Sequence, residues 1–228
     1  MNCIQYGAAT RERDKLLRLQ SFMTPFPFST YDMSEDEAQN QFDIYTTLKN
    51  TYNAEIDPDF SINIRDFDLF NTDELNSHGA VFRITQNSRP FYLDLIEVLY
   101  RTDGRRYSPG IHTEYQTWGF INLKNNFGHI LIKQETLLDK IHDMINPIDL
   151  DFEDDKEFSK KFLVVTNDKL KAQMQMTQNF RNCVKQIQLK EFFIEIVENK
   201  LIIGDKKVAS LESTLEFAKY LNEIARAF

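Results

Sequence analysis

The chain has 228 residues, 42% of them apolar and 19 of them Phe, beside nine Tyr and one Trp; that supports one large domain with a sizeable core and excludes a disordered chain. Thirty-five acidic residues face 27 Lys and Arg for a formal charge of -8, a field that repels phosphate backbones, so no nucleic-acid partner is expected. No apolar run has the length of a membrane span, no apolar leader follows the polar N-terminal residues, and Cys3 and Cys183 make no disulfide framework; the expected setting is cytoplasmic, with no integral membrane segment in this chain.

Residues 9–23 read as an amphipathic helix, with Leu16, Leu17, Leu19, Phe22 and Met23 apolar, stopped by Pro25 and Pro27. Ser34-Glu35-Asp36-Glu37 is a capping box that opens a second helix, whose inward face is Ala38, Phe42, Tyr45 and Leu48. From about residue 60 the period changes to two: Ile62, Ile64, Phe67 and Leu69 predict a strand. Val81-Phe82-Arg83-Ile84 is a weaker strand. Phe91 to Arg101, nearly all apolar with Asp94 and Glu97 its only earlier charges, predicts a central strand covered on both faces.

The turn formers of 102–110 then join it to a strand from His112 to Leu123. One face of that strand carries Tyr115, Thr117, Gly119, Ile121 and Leu123; the other carries Trp118 and Phe120. Asn125-Asn126-Phe127-Gly128 turns the chain into a strand from His129 to Gln134, so three consecutive strands joined by short turns predict an antiparallel meander. Helices are expected over 137–145 and around 156–161, a strand over Phe162–Val165, and a helix from Asn167-Asp168 to about Gln186. A hairpin over 191–203 and a helix opened by Ser210 complete the chain. The predicted class is α+β: an antiparallel sheet, a meander of hairpins, with helices packed on one side. Residues 1–52 form an N-terminal helical segment and 53–228 the α+β domain, or the two make one continuous domain.

Leu150 to Phe158, then Phe162-Leu163-Val164, Asp168, Ala172 and Thr177 resemble an uncharacterised bacterial family. In that family a Phe-rich acidic segment leads to a strand and an Asp-started helix. Trp118-Gly119-Phe120 and Phe127-Gly128-His129-Ile130 resemble its upstream hairpins, so the likeness spans roughly residues 60–228. It implies the same α+β module; members usually carry transmembrane helices ahead of it.

Local chemistry is sparse. A calcium loop started at Asp149 would want Gly and Glu where Asp154 and Lys160 stand, so the acidic run reads as a solvated helix start. His78, His112, His129 and His142 have no metal-ligand spacing. Cys183 lies among Phe180, Val184 and Ile187 and reads as an inert thiol, with only Arg181 and Lys185 near enough in sequence to activate it. No Gly-x-Ser-x-Gly elbow or phosphate loop occurs. No cofactor, metal site or catalytic residue is therefore expected.

The candidate binding residues are Arg105, Arg106 and Tyr107, displayed in the 104–110 loop. Trp118 is a further one, which with Tyr115 and Phe120 fits either a ligand pocket or two core contacts. The expected function is a non-enzymatic module that binds a protein, supports an assembly, or self-associates through residues 9–23. The alternative is a hydrolase-like or small-ligand-binding protein whose site joins sequence-distant residues, for which His112, Glu114 and His129 are the nearest candidates.

Overall fold

The computed structural model describes residues 33–71, 75–86, 89–102, 110–135 and 148–228. The helices expected over 9–23 and 137–145 and the loop carrying Arg105, Arg106 and Tyr107 lie outside these residues. At Ser34 the predicted capping box forms: its hydroxyl accepts the Glu37 amide at 3.3 Å, and its own amide donates to the Glu37 carboxylate at 2.8 Å. The box starts α1 (Glu35–Tyr52), which ends on Asn53 in the left-handed region, a conformation Asn tolerates. Ile44 and Leu48 of α1 are buried in the same core as residues beyond position 53, and Asn40 donates to the Ala209 carbonyl at 2.6 Å.

Nine strands among the described residues form one antiparallel sheet. They are β1 (Glu55–Ile56), β2 (Leu75–Ile84), β3 (Phe91–Thr102), β4 (Gly110–Asn122), β5 (His129–Gln134), β6 (Ile148–Asp149), β7 (Phe162–Thr166), β8 (Phe193–Val197) and β9 (Lys200–Val208). Their spatial order is β1-β2-β3-β4-β9-β8-β5-β7-β6. The fold is α+β, as the sequence predicts. β3 is an interior strand with apolar side chains buried on both faces.

The three-strand meander is corrected in one respect. The β8–β9 hairpin sits between β4 and β5. The linker after β4 crosses the end of that hairpin: Leu123 donates to the Asn199 carbonyl, Phe127 to the Glu198 carbonyl, and Glu198 back to Gly128. These bonds carry the chain past the hairpin, so β5 pairs with β8 from its far side. Gly128 has a φ of 78° there, which glycine adopts without strain.

The α-helices cover one face. Beside α1 they are α2 (Lys156–Lys161), α3 (Lys169–Gln175), α4 (Gln178–Lys185) and α5 (Leu211–Ala227). Phe158, Ala172, Phe180, Val184, Phe217, Leu221 and Ile224 pack from them onto Phe91, Leu93, Ile121, Ile132 and Ile203. The single helix expected over 168–186 is two helices. The Thr177 hydroxyl accepts the Phe180 amide and opens α4, so local capping ends the first run at Met176.

The opposite face is closed by the segment 60–70, called the strap below. Its expected strand is replaced by two 3-10 turns, Ile64–Asp66 and Asp68–Phe70. The Asn63 side chain accepts the Arg65 amide at 3.2 Å and starts the first turn. The turns let Ile64, Phe67, Leu69 and Phe70 all reach the sheet, where they meet Ile96, Val98, Trp118, Phe120, Phe193 and Ile202. An alternating strand would have turned part of that set to water.

Candidate functional site

Each end of the strap is held by a histidine and a carboxylate that rise from the sheet. At the first end, the His78 ring of β2 places Nδ1 against Asp94 of β3 and Nε2 2.8 Å from the Ile62 carbonyl. Both partners are acceptors, so the imidazolium, which donates from both nitrogens, is the form that satisfies them. Asp94 has no exposed surface and also accepts the Gly79 amide at 3.3 Å. Its hydrogen bond to Asp94 raises the His78 pKa above its ordinary value, against burial. Burial in turn pushes the Asp94 carboxyl up, against the pull of His78. Gly79 is required at the bulge between Ser77 and Ala80, because a Cβ there would lie 2.1 Å from the Leu95 carbonyl oxygen.

At the other end, Glu195 of β8 is wholly buried and accepts the Asp68 amide at 2.8 Å on Oε1 and the Leu69 amide at 3.0 Å on Oε2. These amides open the second 3-10 turn, where backbone N–H groups have no partner inside the turn. His129 Nε2 donates to Glu195 Oε1 at 2.7 Å and lies 3.6 Å from Asp68 Oδ2. Burial pulls the His129 pKa down, but the bond to Glu195 and the charges of Glu195 and Asp68 outweigh it and leave it raised. The His129 backbone is fixed as well: its N–H donates to Asn167 Oδ1 at 3.2 Å, and its carbonyl accepts the Thr166 hydroxyl at 2.9 Å. Asp68, His129 and Glu195 are the one group of potential metal ligands of this kind among the described residues, their atoms all within 4.8 Å of one another.

Between the two clasps the strap lies on aromatic rings. Phe60 meets Phe120 at 5.4 Å between centroids, and Phe70 meets Trp118 at 4.7 Å. Trp118 is fully buried, and its indole N–H donates to Gln116 Oε1 at 3.2 Å. With the strap closed it offers no surface to a ligand. Its partner across the ladder is Gly204, where a Cβ would come within 2.3 Å of the indole ring.

Two further sequence candidates resolve here. His112 does not approach His129. His129 lies level with Asn122 at the other end of β4, through the pairs Asn122–Lys200, Lys200–Val197 and Val197–His129. Ten residues of strand separate His112 from that row, roughly 33 Å, so no pocket joins His112, Glu114 and His129. In the acidic run, Asp155 caps α2 and turns toward α4. Lys185 Nζ reaches its two oxygens at 3.1 Å, and Arg181, itself buried, reaches Asp155 at 3.3 Å and Asp154 at 2.5 Å. Burial pushes the Asp155 carboxyl up, but the bonds from Gln178 and Lys185 and the Phe158 amide bring it down to about 2. Arg181 and Lys185 are committed to this ion cluster. The Cys183 thiol, half-buried and close to Glu223, has its pKa raised by burial and by that charge, the opposite of activation.

Sequence spacing missed Asp68 and Glu195 because their partnership spans more than a hundred residues of chain. One signal was present: Glu195 is a lone carboxylate inside the apolar run 192–197, and a buried charge must find a partner. A groove of about 510 Å³ is lined by Gln134, Lys161 and residues 187–191. None of the clasp residues lines it. No described helix is long and apolar enough to cross a membrane.

No family model matches the chain, and no curated protein sequence matches it. The fold is similar to the crystal structure of the mycobacterial trehalose monomycolate transport factor A, TtfA, with a TM-score of 0.54 over 85% of this chain and 94% of that one. Identity between the two is 6%, so the likeness shows the fold alone.

Proposed function

We propose that the chain is a non-enzymatic module that binds a partner protein through a basic and apolar surface. The observation that carries this reading is helix α3. Leu170 and Met174, one turn apart, are each 75% exposed, while Ala172 and Met176 anchor the segment in the core. Large apolar side chains set side by side in water favour a contact that covers them. Lys169 is exposed beside them, which suits a partner whose apolar site has an acidic rim. Arg105, Arg106 and Tyr107, between β3 and β4, offer the same chemistry and are proposed as a second contact. That a transport factor is built on this fold supports a role in an assembly. The reading includes a cytoplasmic location, which the two scattered cysteines fit, and kinship with the bacterial family that residues 150–177 resemble.

The test is to identify a partner by crosslinking, purify it, and measure its affinity for the wild type, for Leu170→Ser with Met174→Ser, and for Arg105→Ala with Arg106→Ala. Loss of a hot-spot pair weakens binding by roughly 30-fold or more. The first double variant is expected to show that loss with its melting temperature unchanged. A partner that binds both double variants as tightly as the wild type overturns the reading. Sedimentation of the wild type alone recognises the case in which the partner is a second copy.

A further inference from the structure

We propose that Asp68, His129 and Glu195 form a binding site for a divalent transition-metal cation, of which zinc is the probe of choice. The three ligands come from three separate pieces of the fold: the strap, β5 and β8. Their donor atoms lie within 4.8 Å of one another. A tetrahedral zinc at about 2.0–2.1 Å from each ligand holds the ligand atoms roughly 3.3 Å apart. His129 Nε2 and Asp68 Oδ2 already stand 3.6 Å apart, and His129 Nε2 and Glu195 Oε1 stand 2.7 Å apart. The short pair is a hydrogen bond; exchanging its proton for a metal ion opens it by roughly half an ångström.

Charge favours the exchange. Two carboxylates converge on a site whose floor, Glu195, is wholly buried. A divalent cation bound by both carboxylates and by the His129 imidazole balances their two negative charges. Imidazole with two carboxylates suits zinc and its neighbours better than calcium, which takes an all-oxygen shell. The supporting bonds are in place as well. Glu195 Oε2 is oriented by the Leu69 amide at 3.0 Å, and the His129 backbone is tied to Asn167 and Thr166. Such outer bonds aim first-row metal ligands and are worth as much as a hundredfold in affinity. The side chains of His129 and Asp68 keep 18% and 21% exposure, while the ligand atom Asp68 Oδ2 is itself buried. Lys200, which pairs with Val197 across from His129, is engaged by Asp66 at 2.9 Å.

The experiment uses the full chain, stripped with chelator and titrated with zinc alone by calorimetry, beside Asp68→Asn, His129→Gln and His78→Gln. One equivalent is expected to bind the wild type and His78→Gln. Asp68→Asn, which keeps the shape of the side chain, and His129→Gln are expected to bind at least tenfold more weakly, on the order of what disturbing even an outer ligand bond costs. Zinc should also shift the imidazole NMR signals of His129 and leave those of His78 in place. In a melting experiment it should stabilise the wild type and not Asp68→Asn, which reports on the site even if His129→Gln folds poorly. No zinc uptake by the wild type overturns the proposal, and so does one equivalent that Asp68→Asn and His129→Gln both retain.

Discussion

On the helix face of the sheet, Phe91, Leu93 and Ile203 meet Phe217, Leu221 and Ile224 in an apolar layer; on the strap face, the single segment 60–70 covers Trp118, Phe120 and Ile202 and is tied down by His78–Asp94 and by His129–Glu195. The helix face coheres through area, spread over many side chains, and burial at roughly 25 cal/mol per Å² is indifferent to pH. The strap face has less chain to bury and adds directional bonds at its two ends. Its closure therefore depends on two buried carboxylates whose partners are backbone amides and imidazoles. One sheet thus has an unconditional face and a conditional one.

The largest expected effect lies on the conditional face. Glu195→Ala leaves the Asp68 and Leu69 amides without their acceptor and His129 without its main partner, and breaking a buried pair in this way costs about 3–5 kcal/mol. Chemical denaturation should show it. Leu221→Ala on the helix face should cost a similar amount, about 2–5 kcal/mol by cavity formation, but with no preferential loosening of the strap. Gly204→Ala comes next. Its Cβ would meet the Trp118 indole at 2.3 Å, and such overpacking costs about 1–3 kcal/mol. Because Trp118 lies against Phe70, its fluorescence should change as the strap is displaced.

A pH titration sharpens the contrast further. His78 holds its proton more tightly in the folded chain than its ordinary value of 6.5 implies. Its contribution is therefore complete below 6.5 and fades as pH rises through the raised folded value. The stability of the wild type minus that of His78→Gln should shrink over that range; a difference that grows with pH contradicts the clasp. Asp155 acts at the acid end with the opposite sign. Its carboxyl sits at about 2 when folded against an ordinary 3.8, so its support is present above 3.8 and lost as pH falls toward 2, a loss that Asp155→Asn should remove. Smallest of all, Leu170→Ser with Met174→Ser should alter stability by no more than about 0.5 kcal/mol per site, as exposed positions do.

Sequence periodicity carried the helix face well, because that face is built from local rules. Ser34 and Glu37 form the box their spacing specifies, and Ser210 opens α5. The faces of β4 alternate as read, with Trp118 and Phe120 on one side and Ile121 and Leu123 on the other. The strap face was less legible for a physical reason. Ile62, Ile64, Phe67 and Leu69 imitate a strand, yet Asn63 caps a 3-10 turn in their midst, and capping chemistry prevails where no neighbouring strand offers a ladder. The position of β5 depends on the crossing at Glu198 and Asn199, a contact between distant segments that no local pattern encodes. Of the candidate site, only His129 is a candidate in the sequence, grouped with His112 and Glu114 of β4. Asp68 and Glu195 join it through the fold alone.

Amide hydrogen exchange at Asp68 and Leu69 tests the two-face account most directly. Under native conditions both amides should be protected in the wild type. In Glu195→Gln they should exchange much faster, while the amides of α5 keep their protection. Unchanged protection at Asp68 and Leu69, or an equal loss at α5, would contradict a strap face closed by its own carboxylate clasp.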